Sequence, residues 1–212
     1  MRIVVTAGPT REYLDPVRFL SNPSTGKMGF AIAAEAARRG HDVTLIAGPV
    51  TLKTPKGVER VDVTSAREML KASLEGLEKI VFISTAAVAD WRPAKCAAKK
   101  LKKGEMSGVL KLVRNPDILK TLAKTRGRKT RDLRLVGFAA ETNDVLQEAA
   151  RKCREKGLSF IVANDVTQKG CGFGTDTNRV TFVFPDGTLK RFPLMTKRRV
   201  AVAILKEVED AR

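Results

Sequence analysis

IVVTAGPT (Ile3–Thr10), followed shortly by VRFLSNPSTGKMGF (Val17–Phe30), sets the architecture of this chain. The β-rich apolar run Ile3–Thr6 stops at a Gly-Pro turn, and a loop of small and polar residues then opens into an alanine-rich helix expected over 27–39. Asn22, Ser24, Thr25, Gly26 and Gly29 therefore fall at or just ahead of a helix N-terminus. Backbone N–H groups there lack intrahelical partners and the helix dipole presents its positive end, so an anion is favoured. Small residues let it approach the backbone closely. The loop is shaped for a nucleotide or a phosphorylated substrate.

Outward from this unit the same alternation continues. Short apolar runs at 3–6, 43–47, 79–84, 133–138 and 160–163 read as buried parallel strands, with helical patterns between them at 27–39, 65–77, 116–125 and 143–156. Thr142-Asn143 are cap candidates for the last helix, Gly157 stops it, and Pro116-Asp117 open the helix before it. The pattern predicts one α/β domain over 1–212: a doubly wound, Rossmann-like, mostly parallel sheet. Its strand-end loops, 8–26, 85–100 and 139–143, are then expected to converge on one edge. Residues 92–113 read as a flap leaving the sheet. Pro185-Asp186-Gly187 centres a β-hairpin over about 179–192, and 196–208 reads as a terminal helix.

Composition bounds the partners. Forty Lys+Arg against 23 Asp+Glu give a net charge of +17, which attracts nucleic acid, anionic lipid or phosphorylated small molecules. Lys99, Lys100, Lys102 and Lys103 form one cluster, and 124–131 a second that reads as a solvated loop. That second cluster has no interleaved aromatics and the chain carries one Trp and one Tyr, so base stacking of the single-strand-binding kind is not evident, which argues against nucleic acid as the partner. No apolar run is long enough for a membrane span, and Met1-Arg2 leads straight into a strand, so a cytoplasmic protein is expected. Cys96, Cys153 and Cys171 are too scattered for a disulfide framework or a zinc site. The single histidine, His41, reads as a surface turn residue without catalytic partners.

The glycine loop fits neither common nucleotide motif. A P-loop needs G-x-x-x-x-G-K-[ST], whereas Ser21 stands at the first glycine and Met28 at the hydroxyl position. No G-x-G-x-x-G follows the first strand, and Ala47-Gly48-Pro49 ends the second without a ribose-binding acid, so an NAD(P) reductase is only a weak alternative.

Eight blocks in order resemble the phosphopantothenoylcysteine synthetase family. They are Thr6–Arg11, Asp15–Phe19, Ser21–Gly29, Ala86–Asp90, Lys100–Lys103, Asn115–Asp117, Gly137–Asn143 and Ala163–Val166, and they span essentially the whole chain. The resemblance implies a ligase of coenzyme A biosynthesis that joins 4′-phosphopantothenate to L-cysteine. The substrate carboxylate attacks the α-phosphate of CTP, rather than the ATP of the eukaryotic branch. Pyrophosphate leaves, and the cysteine amine then displaces CMP from the acyl-cytidylate. It implies Mg2+, no flavin in this chain, a homodimer with hairpin and flap as contact surface, and a separate or fused decarboxylase.

The resemblance also assigns residues. Asn22 and Lys100 match catalytic positions: the amide can donate to an oxyanion, and the ammonium can stabilise charge as pyrophosphate leaves. Gly8, Ser24, Thr25, Gly26 and Gly29 match a phosphate cradle, although Gly29 also suits close helix–strand packing and Asn22 also suits a turn cap. Ala86, Ala87, Val88, Ala89 and Phe138 match the base pocket, with Phe138 equally suited to core. Asp90 matches a nucleotide contact or magnesium ligand, and Trp91 beside it reads as packing. Pro116, Asp117, Ile118, Leu119, Lys152, Lys156 and Asn164 complete the nucleotide contacts, the two lysines also suiting a last helical turn. The rivals are a basic nucleic-acid-binding protein, expected to bind with a steep salt dependence, and a nucleotide sensor that releases no pyrophosphate.

Overall fold

The structure, a computed structural model, describes residues 1–75, 80–105, 108–125 and 132–210. Eight strands form one sheet: β1 (Arg2–Ala7), β2 (Asp42–Ala47), β3 (Val58–Asp62), β4 (Ile80–Ser84), β5 (Arg134–Glu141), β6 (Phe160–Asp165), β7 (Val180–Val183) and β8 (Leu189–Arg191). Their order is β8-β7-β6-β5-β4-β1-β2-β3. The strands from β3 across to β6 run parallel, and β7 and β8 add the hairpin antiparallel at the far edge. The expected doubly wound, mostly parallel sheet is therefore the observed one. The helices are α1 (Lys27–Arg38), α2 (Ala66–Leu74), α3 (Ile118–Thr125), α4 (Val145–Glu155) and α5 (Lys197–Asp210).

Alternation along β1 divides the core between the two faces of the sheet. Ile3, Val5 and Ala7 pack with Phe30, Ile32 and Ala33 of α1 and with Val200, Ile204 and Leu205 of α5. Val4 faces the other way, into a cluster with Met69, Leu122, Leu135, Ala149 and Cys153. That face belongs to α2, α3 and α4. From β1 the chain winds out to β2 and β3, then returns to the opposite side of β1 at β4. The switch point between β1 and β4 leaves a crevice beyond the strand ends, where ligands of such sheets bind.

Three small ladders decorate this edge. Arg11–Tyr13 pairs with Phe19–Ser21, Trp91–Pro93 with Leu112–Arg114, and Thr177–Asn178 with Met195–Thr196. The second is the base of the expected flap. Residues 106–107 of that flap and 126–131 of the basic run lie outside the described residues, as do 76–79 at the junction of a predicted helix and strand.

Several expectations are corrected. Strand β3 was not anticipated: VERVD, with its mixed burial, is an edge strand in which Glu59 and Asp62 face solvent while Arg60 folds back to donate to Leu52 O at 2.8 Å and lie over the Phe30 ring. Helix α4 begins after Asp144, held in the left-handed region at φ 48°, and not at Thr142-Asn143, whose side chains bond each other. Pro116 lies ahead of α3; Asp117 Oδ1 accepts from the Lys120 N–H, capping that helix. His41 is tied to α5 through Glu209 Oε1, 2.8 Å away.

Candidate functional site

Loops after β1, β4, β5 and β6 meet over the switch point and enclose a cleft with two connected chambers. They are knitted together by buried polar groups. Ala87 N–H donates to Gly8 O at 2.9 Å, Ala89 N–H to Thr10 Oγ1 at 3.0 Å, and Thr85 Oγ1 to Thr6 O at 2.6 Å. Thr6 and Thr10 are fully buried, so the 85–90 loop is held at fixed register over β1. Asn115 closes the other side: its Nδ2 donates to Ala89 O at 2.8 Å and its backbone N–H to Asp90 O at 2.8 Å.

The larger chamber, about 400 Å3, is lined by Asn22, Ala86, Ala87, Val88, Ala89, Asp90, Pro116, Asp117, Ile118, Leu119, Phe138 and Lys156 among others. Twelve of the sequence-predicted residues thus face one space. The Asn22 amide nitrogen is directed at the carbonyls of Ala87 (3.0 Å) and Val88 (3.3 Å). Lys156 Nζ lies 2.9 Å from Asp117 Oδ2. Burial pushes the Asp117 carboxyl up, but the Lys120 N–H and the Lys156 ammonium outweigh it and hold the group below the ordinary carboxylate range.

The smaller chamber, about 120 Å3, sits over the start of α1 and is lined by Ser24, Thr25, Gly26, Gly29 and Asn164, with Ala86, Ala87 and Phe138 shared between the two. Gly26, at φ 78°, precedes α1 and supplies no side-chain cap, so the first N–H groups of the helix face this chamber. Gly29 allows α1 to lie against β1: an added Cβ would stand 2.5 Å from Ala7 Cβ and 3.0 Å from Thr6 O. Asn164 Nδ2 donates to Cys171 O at 2.8 Å, while its Oδ1 is buried without a partner in the structure.

Three predicted residues are not in either lining. Gly8 lies beneath the cradle, at φ 78°, with Val50 and Gly48 against the place of a Cβ. Lys152 turns to Glu141 at the end of β5. Lys100 is exposed on the flap. Trp91 is also exposed, with Arg114 stacked 5.2 Å from its ring centroid.

Sequence reasoning missed the loop 166–178, which brings Gly172, Phe173 and Gly174 to the cleft, and the two lysines that hold it. Lys27 Nζ contacts Gly174 O at 2.8 Å and Asp176 Oδ1 at 2.7 Å, and Lys197 Nζ contacts Thr175 O. Burial, then the neighbouring Lys27, pushes the Lys197 ammonium below its ordinary pKa, with Asp176 opposing. A signal was present: both lysines open helices, where a cation meets the dipole unfavourably. Two ammoniums, offset in part by Asp176, and an uncapped helix make this chamber the cationic end of the cleft.

Among the described residues no cluster of three or more His, Cys, Asp or Glu could by itself hold a metal. Asp90 stands at the chamber rim as an exposed carboxylate, and Asp117, the other carboxylate of that lining, is engaged by Lys156. That donor set suits magnesium held by one carboxylate together with substrate phosphates and water.

These features define a doubly wound α/β protein with a cleft at its switch point, cationic at one end. The chain belongs to the family described as the DNA/pantothenate metabolism flavoprotein C-terminal domain, whose model matches residues 1–211. It is 48% identical over 208 residues to the coenzyme A biosynthesis bifunctional protein CoaBC of Bacillus subtilis, covering 97% of this chain and 50% of that protein. The Escherichia coli (strain K12) protein of the same name is 47% identical over 214 residues, covering 98% and 51%. The crystal structure of the C-terminal domain of CoaBC matches with a TM-score of 0.81 and 43% identity, covering 99% of this chain and 94% of that one. The chain thus spans about half the length of the curated relatives it matches, and the resemblance read from its motifs is borne out. No described helix is long and apolar enough to cross a membrane.

Proposed function

We propose that this chain is a phosphopantothenate–cysteine ligase acting in coenzyme A biosynthesis, with CTP as the activating nucleotide. The observation that carries the proposal is the joining of the Asn22–Asp90 chamber to a cationic chamber at the N-terminus of α1. A triphosphate requires the second and a carboxylate to be activated requires the first. The nucleoside occupies the larger chamber, against Ala86–Ala89, Phe138 and the turn Pro116–Leu119, with its phosphates toward Ser24 and Gly26.

In the first half-reaction a carboxylate oxygen of 4′-phosphopantothenate attacks the α-phosphorus, and the bond to the pyrophosphate oxygen breaks. In the second the cysteine amine attacks the acyl carbonyl, and CMP leaves. Asn22 exchanges its longer contact, to Val88 O, for the oxyanion formed in that step. Lys100 extends its side chain from the docked flap segment to the leaving phosphates, and closure of the flap beyond it keeps water from the acyl-cytidylate. Magnesium, when bound at Asp90, neutralises phosphate charge. Lys156 orders the α3 turn through Asp117 and faces the nucleotide. Exposed Phe19, Trp91 and Leu112 near the flap base suit burial in a homodimer. A decarboxylase, separate or fused, consumes the product.

The test is incubation of the chain with CTP, Mg2+, 4′-phosphopantothenate and cysteine, with ATP in parallel. CMP and pyrophosphate in equal amounts are expected with CTP. AMP from ATP at the higher rate would reverse the nucleotide assignment, and nucleotide binding without pyrophosphate would leave a sensor. Asn22→Asp is expected to stall between the half-reactions and accumulate acyl-cytidylate.

A further inference from the structure

The turn 14–18 that joins Arg11–Tyr13 to Phe19–Ser21 is built around a fully buried carboxylate, Asp15. Asp15 Oδ1 accepts from the backbone N–H groups of Val17 (2.9 Å) and Arg18 (2.8 Å), and Oδ2 accepts from Arg18 Nε (3.0 Å) and from its Nη2. These contacts would satisfy an ordinary turn. Oδ2 accepts one more bond, from the Leu101 N–H at 3.2 Å, and Arg18 Nη2 donates to Leu101 O at 2.8 Å. Both backbone groups of Leu101 are therefore gripped by one ion pair. A third tie lies four residues back, where the Ala97 N–H donates to Leu14 O at 2.9 Å. The flap segment 97–101 is docked on this turn, and Lys100 lies inside it.

The same hairpin also carries Asn22, the residue after Phe19–Ser21, into the larger chamber. Ser21 Oγ donates to Thr10 O at 2.8 Å and fixes that exit. One small ladder is thus bonded at its turn to the neighbour of Lys100 and at its end to Asn22. Apart from this ladder Asn22 and Lys100 belong to different loops, 78 positions apart by their numbering.

We propose that Asp15 is a positioning residue: by holding Leu101 it sets where Lys100 stands relative to Asn22. The proposal rests on the ligase reading, because Lys100 matters only if it meets a ligand. The Arg18 guanidinium keeps the Asp15 carboxyl far below the ordinary carboxylate range against the opposing effect of burial, so the grip is ionised throughout the neutral range.

The experiment is a double-mutant cycle on the purified chain with Asp15→Asn, Lys100→Ala and the pair, read as kcat and KM for ligation. Asp15→Asn is expected to lower kcat by about 10-fold or more with KM changed less, and to have little further effect once Lys100 is alanine. Equal effects of Asp15→Asn in both backgrounds would overturn the proposal, since general destabilisation multiplies independently. Amide exchange at Leu101 separates the two readings. Faster exchange in Asp15→Asn, with Lys100→Ala fully active, would sink the role of Lys100 but not the docking; unchanged protection would sink the docking itself. Should Asp15→Asn fail to fold, Ala97→Pro removes a different tie of the same segment. It is expected to lower kcat in the wild-type background only, and an equal loss without Lys100 would again overturn the proposal.

Discussion

Substituting Gly29 by alanine opposes two effects of known sign. Alanine is the better helix former, by about 1 kcal/mol in a helix interior. Against this, the added methyl would stand 2.5 Å from Ala7 Cβ, 2.6 Å from Thr85 Oγ1 and 3.0 Å from Thr6 O. Comfortable approach of carbon atoms begins near 3.5 Å, so α1 must withdraw from β1 by about 1 Å. None of the three neighbours can yield. Ala7 Cβ and Thr6 O are fixed to the central strand, and Thr85 Oγ1 is bonded to Thr6 O. Overpacking of this kind costs about 1–3 kcal/mol, and with three contacts that cannot yield the upper part of that range, about 2–3 kcal/mol, applies, which leaves a net loss of about 1–2 kcal/mol. For a chain of this length that is a fall in Tm of about 2–8 °C. The helix start moves with the withdrawal, so KM for the nucleotide should rise as well. Thermal and urea unfolding of Gly29→Ala measure the first effect, with Gly104→Ala as control, since nothing lies within 4 Å of its added methyl. A Gly29→Ala midpoint at or above wild type would refute the close-packing argument.

Further outcomes follow from other contacts. Gly48→Ala would set a Cβ 1.7 Å from Pro9 O, and a loss of about 3 kcal/mol or more in urea unfolding is expected; a wild-type midpoint would contradict it. Glu35, held at about 2 chiefly by its bond to Arg38, binds Arg38 and Arg39 beside α5. Its folded pKa lies below its unfolded value near 4.5, so its stabilisation is complete above that pH and fades as pH falls toward 2. Glu35→Gln should therefore narrow its stability deficit over this window, and a deficit independent of pH from 6 to about 2 would count against the network. Lys156→Met should raise KM for the nucleotide about 10-fold, whereas Lys152→Met, whose partner is Glu141 outside the cleft, should change it by less than about 2-fold. Equal effects of the two would erase the distinction.

The parallel strands were legible because buried β-rich runs and turn residues leave little ambiguity, as at Ile3–Thr6 and Phe160–Ala163. Strand β3 was not, since Glu59 and Arg60 at a sheet edge break the apolar pattern that marks a strand. The Asn22, Asp90 and Pro116–Leu119 positions were legible through motif order, and the fold brings them to one chamber. Lys152 and Lys156 look equivalent in sequence, four apart on one helix face, yet only tertiary partners decide that Lys156 meets the cleft. The 166–178 loop carries no periodicity at all. Its placement depends on Lys27 and Lys197 from distant elements, which local sequence cannot express.

The most direct test of the central claim omits cysteine. Enzyme in excess over 4′-phosphopantothenate, mixed with CTP and Mg2+ and quenched in acid, should yield one pyrophosphate and one acyl-cytidylate per phosphopantothenate, and later cysteine should convert the adduct to CMP and ligated product. Release of CDP and inorganic phosphate, or no pyrophosphate until cysteine is present, would contradict it.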